Sequence, residues 1–306
     1  MDSMELANYL EKVRYGRKIS QERFVEGICS LRQYQRYRSG ECEFPVEKIE
    51  LFALKLNIPR QKLLNEFEKE KNQQNTLIDA FYNAVANRNR LLIEELNQKI
   101  KKDIIIEEEN KVYYKHALIR DDYLSNRISD EMALVRIKDL IKFPQVLKND
   151  YFTDIEILIL SSMLDLLKDK EHKLLLKRLT DLFESEINIL SGNNPKIYSL
   201  ILMRLAKEYG KIEDFERVIK FCDLAIERGL SIKQFYLFDS FFYYKALAYY
   251  YLEDMAQYED NLFKCYNVLQ FEGNQKKIDN FTERIEADFN INFTLFIINY
   301  LKKDYI

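Results

Sequence analysis

Ser30-Leu31-Arg32-Gln33-Tyr34-Gln35-Arg36-Tyr37-Arg38-Ser39-Gly40 is a short amphipathic helix that carries its own start and stop. Ser30 offers a hydroxyl to the unsatisfied N–H groups of the first turn, and Gly40 supplies the left-handed residue that closes such helices. Tyr34 and Tyr37 lie three apart and share the inward face, which leaves Arg32, Gln33, Gln35, Arg36 and Arg38 to point outward. Arginine makes two hydrogen bonds to guanine and glutamine two to adenine, so these are the side chains a major-groove reader needs. On an isolated helix they would be ordinary solvated groups. The flanking sequence decides between the two.

Before this helix, Leu6, Leu10 and Val13 recur at helical spacing after Ser3, and the pattern ends near Gly16. Ser20 caps a second helix with Phe24 and Val25 as its buried face, broken at Gly27. After it, Pro45 opens a fourth helix with an apolar stripe of Ile49, Phe52, Ala53 and Leu56. Asn57-Ile58-Pro59 ends that helix ahead of a fifth, short one with Leu63 and Leu64. The chain has a net charge of −3, yet residues 12–38 hold 8 basic against 2 acidic side chains. A basic patch on an acidic protein implies local contact with a polyanion.

Within a first domain of residues 1–66, residues 4–66 thereby resemble the Xre/Cro-type helix-turn-helix domain. The resemblance is carried by Ile19-Ser20-Gln21, Gly27-Ile28, Arg36-Tyr37-Arg38-Ser39-Gly40 and Ala53-Leu54-Lys55-Leu56-Asn57-Ile58. It implies that Gln21 binds phosphate at the start of the second helix and that Arg32, Gln35 and Arg36 reach base edges. The family commonly has an acidic residue two before the closing glycine, paired with the arginine matching Arg14, whereas this sequence has Arg38 there. Either Glu22 or Glu41 compensates, or Arg14 and Arg38 both turn toward phosphates.

The polar run Glu68 to Asn75 reads as a linker over residues 67–75, a hinge or a solvated helical connection, and helical patterns fill residues 76–306. The last of them spans 278–303. Two neighbouring helix pairs repeat with a period of 43, matching Phe215 with Tyr258, Ile219 with Leu262, Cys222 with Cys265 and Ile226 with Leu269. Such a period signals stacked helical hairpins. Leu202, Leu205, Ala206, Tyr209, Phe215, Val218, Cys222 and Ala225 are similar to the large and small positions of a tetratricopeptide repeat. The expected architecture is all-α, a five-helix head followed by a tetratricopeptide-like helical-repeat domain.

Head and repeats together resemble the peptide-responsive bacterial regulators of the Rgg, PlcR and ComR type. The residues that carry this are Tyr151 to Leu160 at the entry to the repeats and Leu31 to Glu41 in the head. It implies a quorum-sensing transcription regulator: a homodimer on a near-palindromic operator in double-stranded DNA, controlled by a short linear signalling peptide. On the repeat pattern, Leu200, Met203 and Lys207 of one hairpin and Phe242, Lys245 and Tyr249 of the next face the peptide groove. Apolar walls with two lysines suit a hydrophobic peptide with a carboxylate. The bland alternative is that Met203, Phe242 and Tyr249 extend the core and the lysines are solvated. The apolar run Ile291 to Leu301 either contributes to the dimer or buries in its own stack.

Other chemistry finds little support. His116 and His172 lie in charged helical stretches and read as surface residues, and no phosphate loop, His-Glu-x-x-His or nucleophile elbow occurs. We expect a binding protein and not an enzyme, with no cofactor and no metal. Cys29, Cys42, Cys222 and Cys265 form no close pair, so reduced thiols are expected, with Cys42 exposed beside a turn. No stretch is apolar enough to span a membrane and Met1 to Glu5 is no signal peptide, which implies a cytoplasmic protein without membrane contact. The competing class is a repeat protein that sequesters a protein partner and uses its degenerate head only for docking; an outward Arg32, Gln35 and Arg36 would be superfluous there.

Overall fold

The structure, a computed structural model, describes residues 3–184, 189–190 and 195–303. The protein is all-α: among the described residues the only extended pairing joins Phe152–Thr153 to Ile189–Leu190 in parallel. No helix of the described residues is long and apolar enough to cross a membrane. The chain forms two compact units, Met1–Phe143 and Pro144–Ile306.

In the first unit, α1 (Ser3–Gly16), α2 (Gln21–Val25), α3 (Leu31–Ser39), α4 (Val46–Lys55) and the start of α5 (Arg60–Ala86) enclose one core. Its centre is aromatic: the Phe24 ring lies 4.8 Å from Phe52 and 5.8 Å from Tyr34. The five-helix head is thus as expected, except that its last helix does not stop. Residues 67–75 lie inside α5, which runs on for 27 residues, and the unit continues through α6 (Arg90–Lys101), α7 (Glu108–Leu124) and α8 (Asp130–Leu140). The boundary between compact units therefore falls at Phe143 and not near residue 66.

The cause lies in Gln74. It occupies the inward stripe of α5 between Phe67 and Ile78 and is 5% exposed. Its amide donates to the Ile104 carbonyl at 2.8 Å, and its oxygen accepts from the Ile106 N–H at 2.9 Å. A fully used amide can sit where an apolar residue would. Bound in this way, residues 104–106 stay out of the helical pattern expected throughout 76–306, and Ile106 is driven fully into the head's core. Charges seal the seam. Lys71 bridges Glu5 at 2.9 Å and Glu107 at 3.0 Å, and Lys12 bridges Glu70 at 2.6 Å and Asp103 at 2.5 Å. His116 also departs from expectation: it is fully buried on α7, its ring 5.7 Å from that of Tyr82.

The second unit stacks helices in antiparallel pairs: α9 (Asp154–Met163), α10 (Asp169–Glu184), α11 (Pro195–Lys211), α12 (Phe215–Ser231), α13 (Phe238–Tyr251), α14 (Met255–Glu272), α15 (Gln275–Phe289) and α16 (Phe293–Lys303). A capping box of Thr153 and Glu156 opens α9. The single helix expected over 278–303 is two, because Asn290 turns left-handed at φ 50° and the Glu286 carboxylate accepts from the Phe293 N–H at 2.9 Å.

Most stops are made without glycine. After α1, α4, α5, α7, α8, α11, α12 and α13, the left-handed residues are Lys18, Asn57, Arg88, Asn126, Lys142, Glu213, Lys233 and Glu253. In each case the next N–H reaches back five residues, as Asp214 does to the Tyr209 carbonyl at 3.0 Å.

Removing Gln74 strands a part-buried carbonyl and a buried N–H. Gln74→Ala should destabilise the first unit by about 1–3 kcal/mol, and Ile106→Ala by about 2–5 kcal/mol. Native-state hydrogen exchange should show faster exchange in α1 to α5 with Pro144–Ile306 unaffected. Equal acceleration in both units would contradict this account of the seam.

Candidate functional site

The α3 helix is built as its sequence suggests. The Ser30 hydroxyl accepts from the Gln33 N–H at 3.1 Å, and Gly40 closes the helix at φ 76°. Tyr34 and Tyr37 are buried at 0% and 3% exposure, which fixes the opposite face outward. Arg32, Gln35 and Arg36 are exposed on that face, with Arg36 Nε 3.4 Å from the exposed Glu41 carboxylate. The half-buried Gln33 is turned aside, its amide 3.1 Å from the Sγ of Cys42, which is itself half-buried and not exposed.

Gln21 and Arg38 go elsewhere, and Glu11 is the reason. This α1 carboxylate is 5% exposed. Arg14 grips it with Nε at 2.8 Å and Nη2 at 2.6 Å. The Gln21 amide donates to it at 2.7 Å, the Tyr34 hydroxyl at 3.2 Å, and the Arg38 guanidinium stands 3.5 Å away. The acid that compensates for Arg38 is therefore Glu11, neither Glu22 nor Glu41, and Arg14 and Arg38 converge on it instead of both turning outward. Burial alone would raise the Glu11 pKa. Hydrogen bonds from Arg14 and Gln21 and the charges of Arg38 and Arg14 outweigh it and hold the carboxyl below the ordinary glutamate value of 4.5.

In the repeats the six groove candidates do not come together. Lys207 on α11 lies 3.3 Å from Asp165, whereas Lys245 on α13 is held at 2.5 Å by Asp223 of α12. Phe242 lies under Lys264 of α14 at 6.0 Å, and Tyr249 takes the Lys245 ammonium over its ring at 6.0 Å. The α13 trio thus faces the second helices of the two hairpins. Leu200 and Met203 are half-buried on α11.

The slip has a measurable origin. The matching turns are Glu213-Asp214 and Glu253-Asp254, 40 residues apart, neither the 43 of the α12 and α14 pairs nor the 42 that separates the α11 candidates from those on α13. Spacing of 40 also maps the buried Val218, Phe221, Cys222, Ala225 and Gly229 of α12 onto the buried Tyr258, Asn261, Leu262, Cys265 and Leu269 of α14. A shift of three is nearly one helical turn and leaves a residue close to the same face, so 43 imitates the true period within one helix. On the true period Lys207 corresponds to Leu247 and Tyr209 to Tyr249. A cavity of about 320 Å³ lies between α11, α12 and α13, and of the six candidates only Lys207 lines it. His172 is no free surface group: its Nε2 is 2.9 Å from the buried Glu208 carboxylate.

No protein-family model and no curated protein matches the chain. Solved structures do. ComR from S. thermophilus, in complex with DNA and its signalling peptide ComS, aligns with a TM-score of 0.55 over 92% of this chain and 99% of its own, at 17% identity. ComR from Streptococcus vestibularis, in complex with its cognate signalling peptide XIP, gives 0.52 over 94% and 99%, at 18% identity. The chain has the ComR fold. A helix-turn-helix head followed by helical repeats is therefore the architecture of the described residues. Among the described residues, no cluster of His, Cys, Asp and Glu is placed to hold a metal ion.

Glu11→Ala leaves Arg14 and Arg38 without their buried counter-charge and should cost on the order of 3 kcal/mol. Because the folded pKa of Glu11 is depressed, its contribution is complete above 4.5 and is lost as pH falls through the lower folded value. Acid unfolding of the wild type followed by tyrosine fluorescence should be steeper below that point than in Glu11→Gln. Parallel curves would refute the role given to the carboxylate.

Proposed function

We propose that the chain is a sequence-specific DNA-binding transcription regulator of the quorum-sensing kind, controlled by a short signalling peptide bound in its helical repeats. One observation carries the DNA half of this reading. Arg32, Gln35 and Arg36 are exposed together on a helix whose other face is locked by Tyr34 and Tyr37. A docking domain would have no use for that set. The three side chains reach base edges, and the positive stretch around α1 to α3 follows the phosphates. Gln21 and Arg38 hold the reading helix through Glu11, with Gln33 as a peripheral contact.

The peptide half is supported by the fold, since ComR was crystallised with both DNA and a signalling peptide. Peptide regulates only by binding the DNA-competent form with a different affinity from the incompetent one. A single five-helix head covers little DNA, so two chains on a near-palindrome are the economical arrangement. Phe293 and Ile297 of α16 bury in their own stack, while Leu295, Ile298 and Leu301 remain exposed for a second copy. Such a regulator acts in the cytoplasm.

Arg36→Ala should weaken binding to the operator by about 1–3 kcal/mol and relax sequence preference, while binding to random DNA changes little. Titrations of labelled operator and random duplex at several salt concentrations measure both. Wild-type protein that retards its own promoter fragment no better than random DNA, at every salt and peptide concentration tried, would end the reading.

A further inference from the structure

The cavity between α11, α12 and α13 is shaped by what is missing from it. Gly210 is the last but one residue of α11 and has no positive φ, so the left-handed conformation that favours glycine at a helix end does not explain it. A Cβ built there would meet nothing nearer than Val218 Cγ2 at 3.8 Å. Forty residues on, the same positions of the next hairpin hold Tyr250 for Gly210 and Tyr258 for Val218. There the Tyr250 ring packs 5.3 Å from Tyr258 and 5.2 Å from Phe289. One hairpin fills this space with its own aromatic ring, and the other leaves it open.

What remains is a hollow of about 320 Å³ with Ala206, Gly210 and Ala248 as small residues and Val218, Leu247 and Tyr251 as apolar walls. Phe215 and Tyr251 stack face to face beside it, with ring centres 5.0 Å apart and planes inclined by 6°. The volume is at the lower end for ligand sites and suits one side chain, not a whole peptide. Exposed Ile212 and Leu252 follow directly on the lining residues in the two turns and extend the apolar surface outward.

We infer that this cavity is an anchor pocket for one aromatic side chain of the controlling peptide, taking the place that Tyr250 fills in the next hairpin. The assignment of the ligand to a peptide rests on the function proposed above; the pocket's preference for an aromatic ring does not. A flat ring entering here meets the stacked Phe215 and Tyr251 pair and gains offset or edge contacts beyond simple burial. An aliphatic side chain gains burial alone.

The chain contains no tryptophan, so N-acetyl-tryptophanamide excited beyond the tyrosine absorption band is a probe whose fluorescence reports only on itself. With the full-length protein we expect a saturable blue shift with half-saturation at about 1 mM, the range for a fragment that buries one side chain. N-acetyl-leucinamide should compete about tenfold less well. Gly210→Tyr supplies the ring from within and should abolish the shift while melting at the wild-type temperature or above. Gly210→Ala, whose Cβ the space accepts, should weaken binding even if the tyrosine variant fails to fold. Phe271→Ala, which removes a 92% exposed ring elsewhere, should change nothing. No shift in the wild type, or an undiminished shift in a folded Gly210 variant, overturns the pocket. Because no DNA enters the measurement, a pocket that binds the probe in a protein without any DNA or peptide response would stand while the regulator reading fell.

Discussion

The head is organised around one buried carboxylate. Glu11 draws in Arg14 from its own helix, Gln21 from α2, and Tyr34 and Arg38 from α3, so three helices share one acceptor. Taking a charge out of water is costly unless every lone pair is used, and here donors surround it. The same arrangement divides the polar side chains of the head into two groups. Those drawn to Glu11 set the angle of α3, and Arg32, Gln35 and Arg36 are left facing solvent. An acid in place of Arg38 would add a second negative charge beside Glu11 and remove one of the cations that hold it.

A second polar residue governs the reach of the head. Gln74 makes α5 continuous with the helices that follow, because it turns a polar stretch into a buried one and ties down residues 104–106. With Lys12 and Lys71 each bridging two carboxylates, the head and residues up to Phe143 form one body.

The legible parts of the fold were those encoded locally. Ser30, Tyr34, Tyr37 and Gly40 lie within one short segment, and their spacing alone determines a capped helix with an outward basic face. Glu11 was not legible, since its partners arrive from three helices and nothing in its neighbourhood marks it as other than a helix glutamate. Gln74 misled for a related reason: a polar residue reads as solvated unless its distant backbone partners are known. The α13 half of the groove was lost to periodicity. A helix repeats its faces nearly every three to four residues, so a period of 43 preserves the inward pattern of α12 and α14, whereas the α13 candidates, 42 residues from those on α11, stand two residues off the true register and on nearly the opposite face. Only the paired turns at Glu213 and Glu253, each left-handed and each followed by a capping aspartate, mark the true register.

Those turns also bear on how the protein could be hardened. Lysine, arginine, glutamate and asparagine occupy left-handed positions at eight helix ends where glycine would be free of steric cost. For a residue with a Cβ that conformation costs roughly 1–2 kcal/mol, part of which glycine would return as extra freedom in the unfolded chain. The hydrogen bond from the following N–H, not the residue type, decides where each helix ends. The stops other than Lys18 and Glu213 therefore form a dispersed reserve of unrealised stability: the chain can be made more heat-resistant from its corners inward, without altering Arg32, Gln35 or Arg36 on α3 or the lining of the α11–α13 cavity.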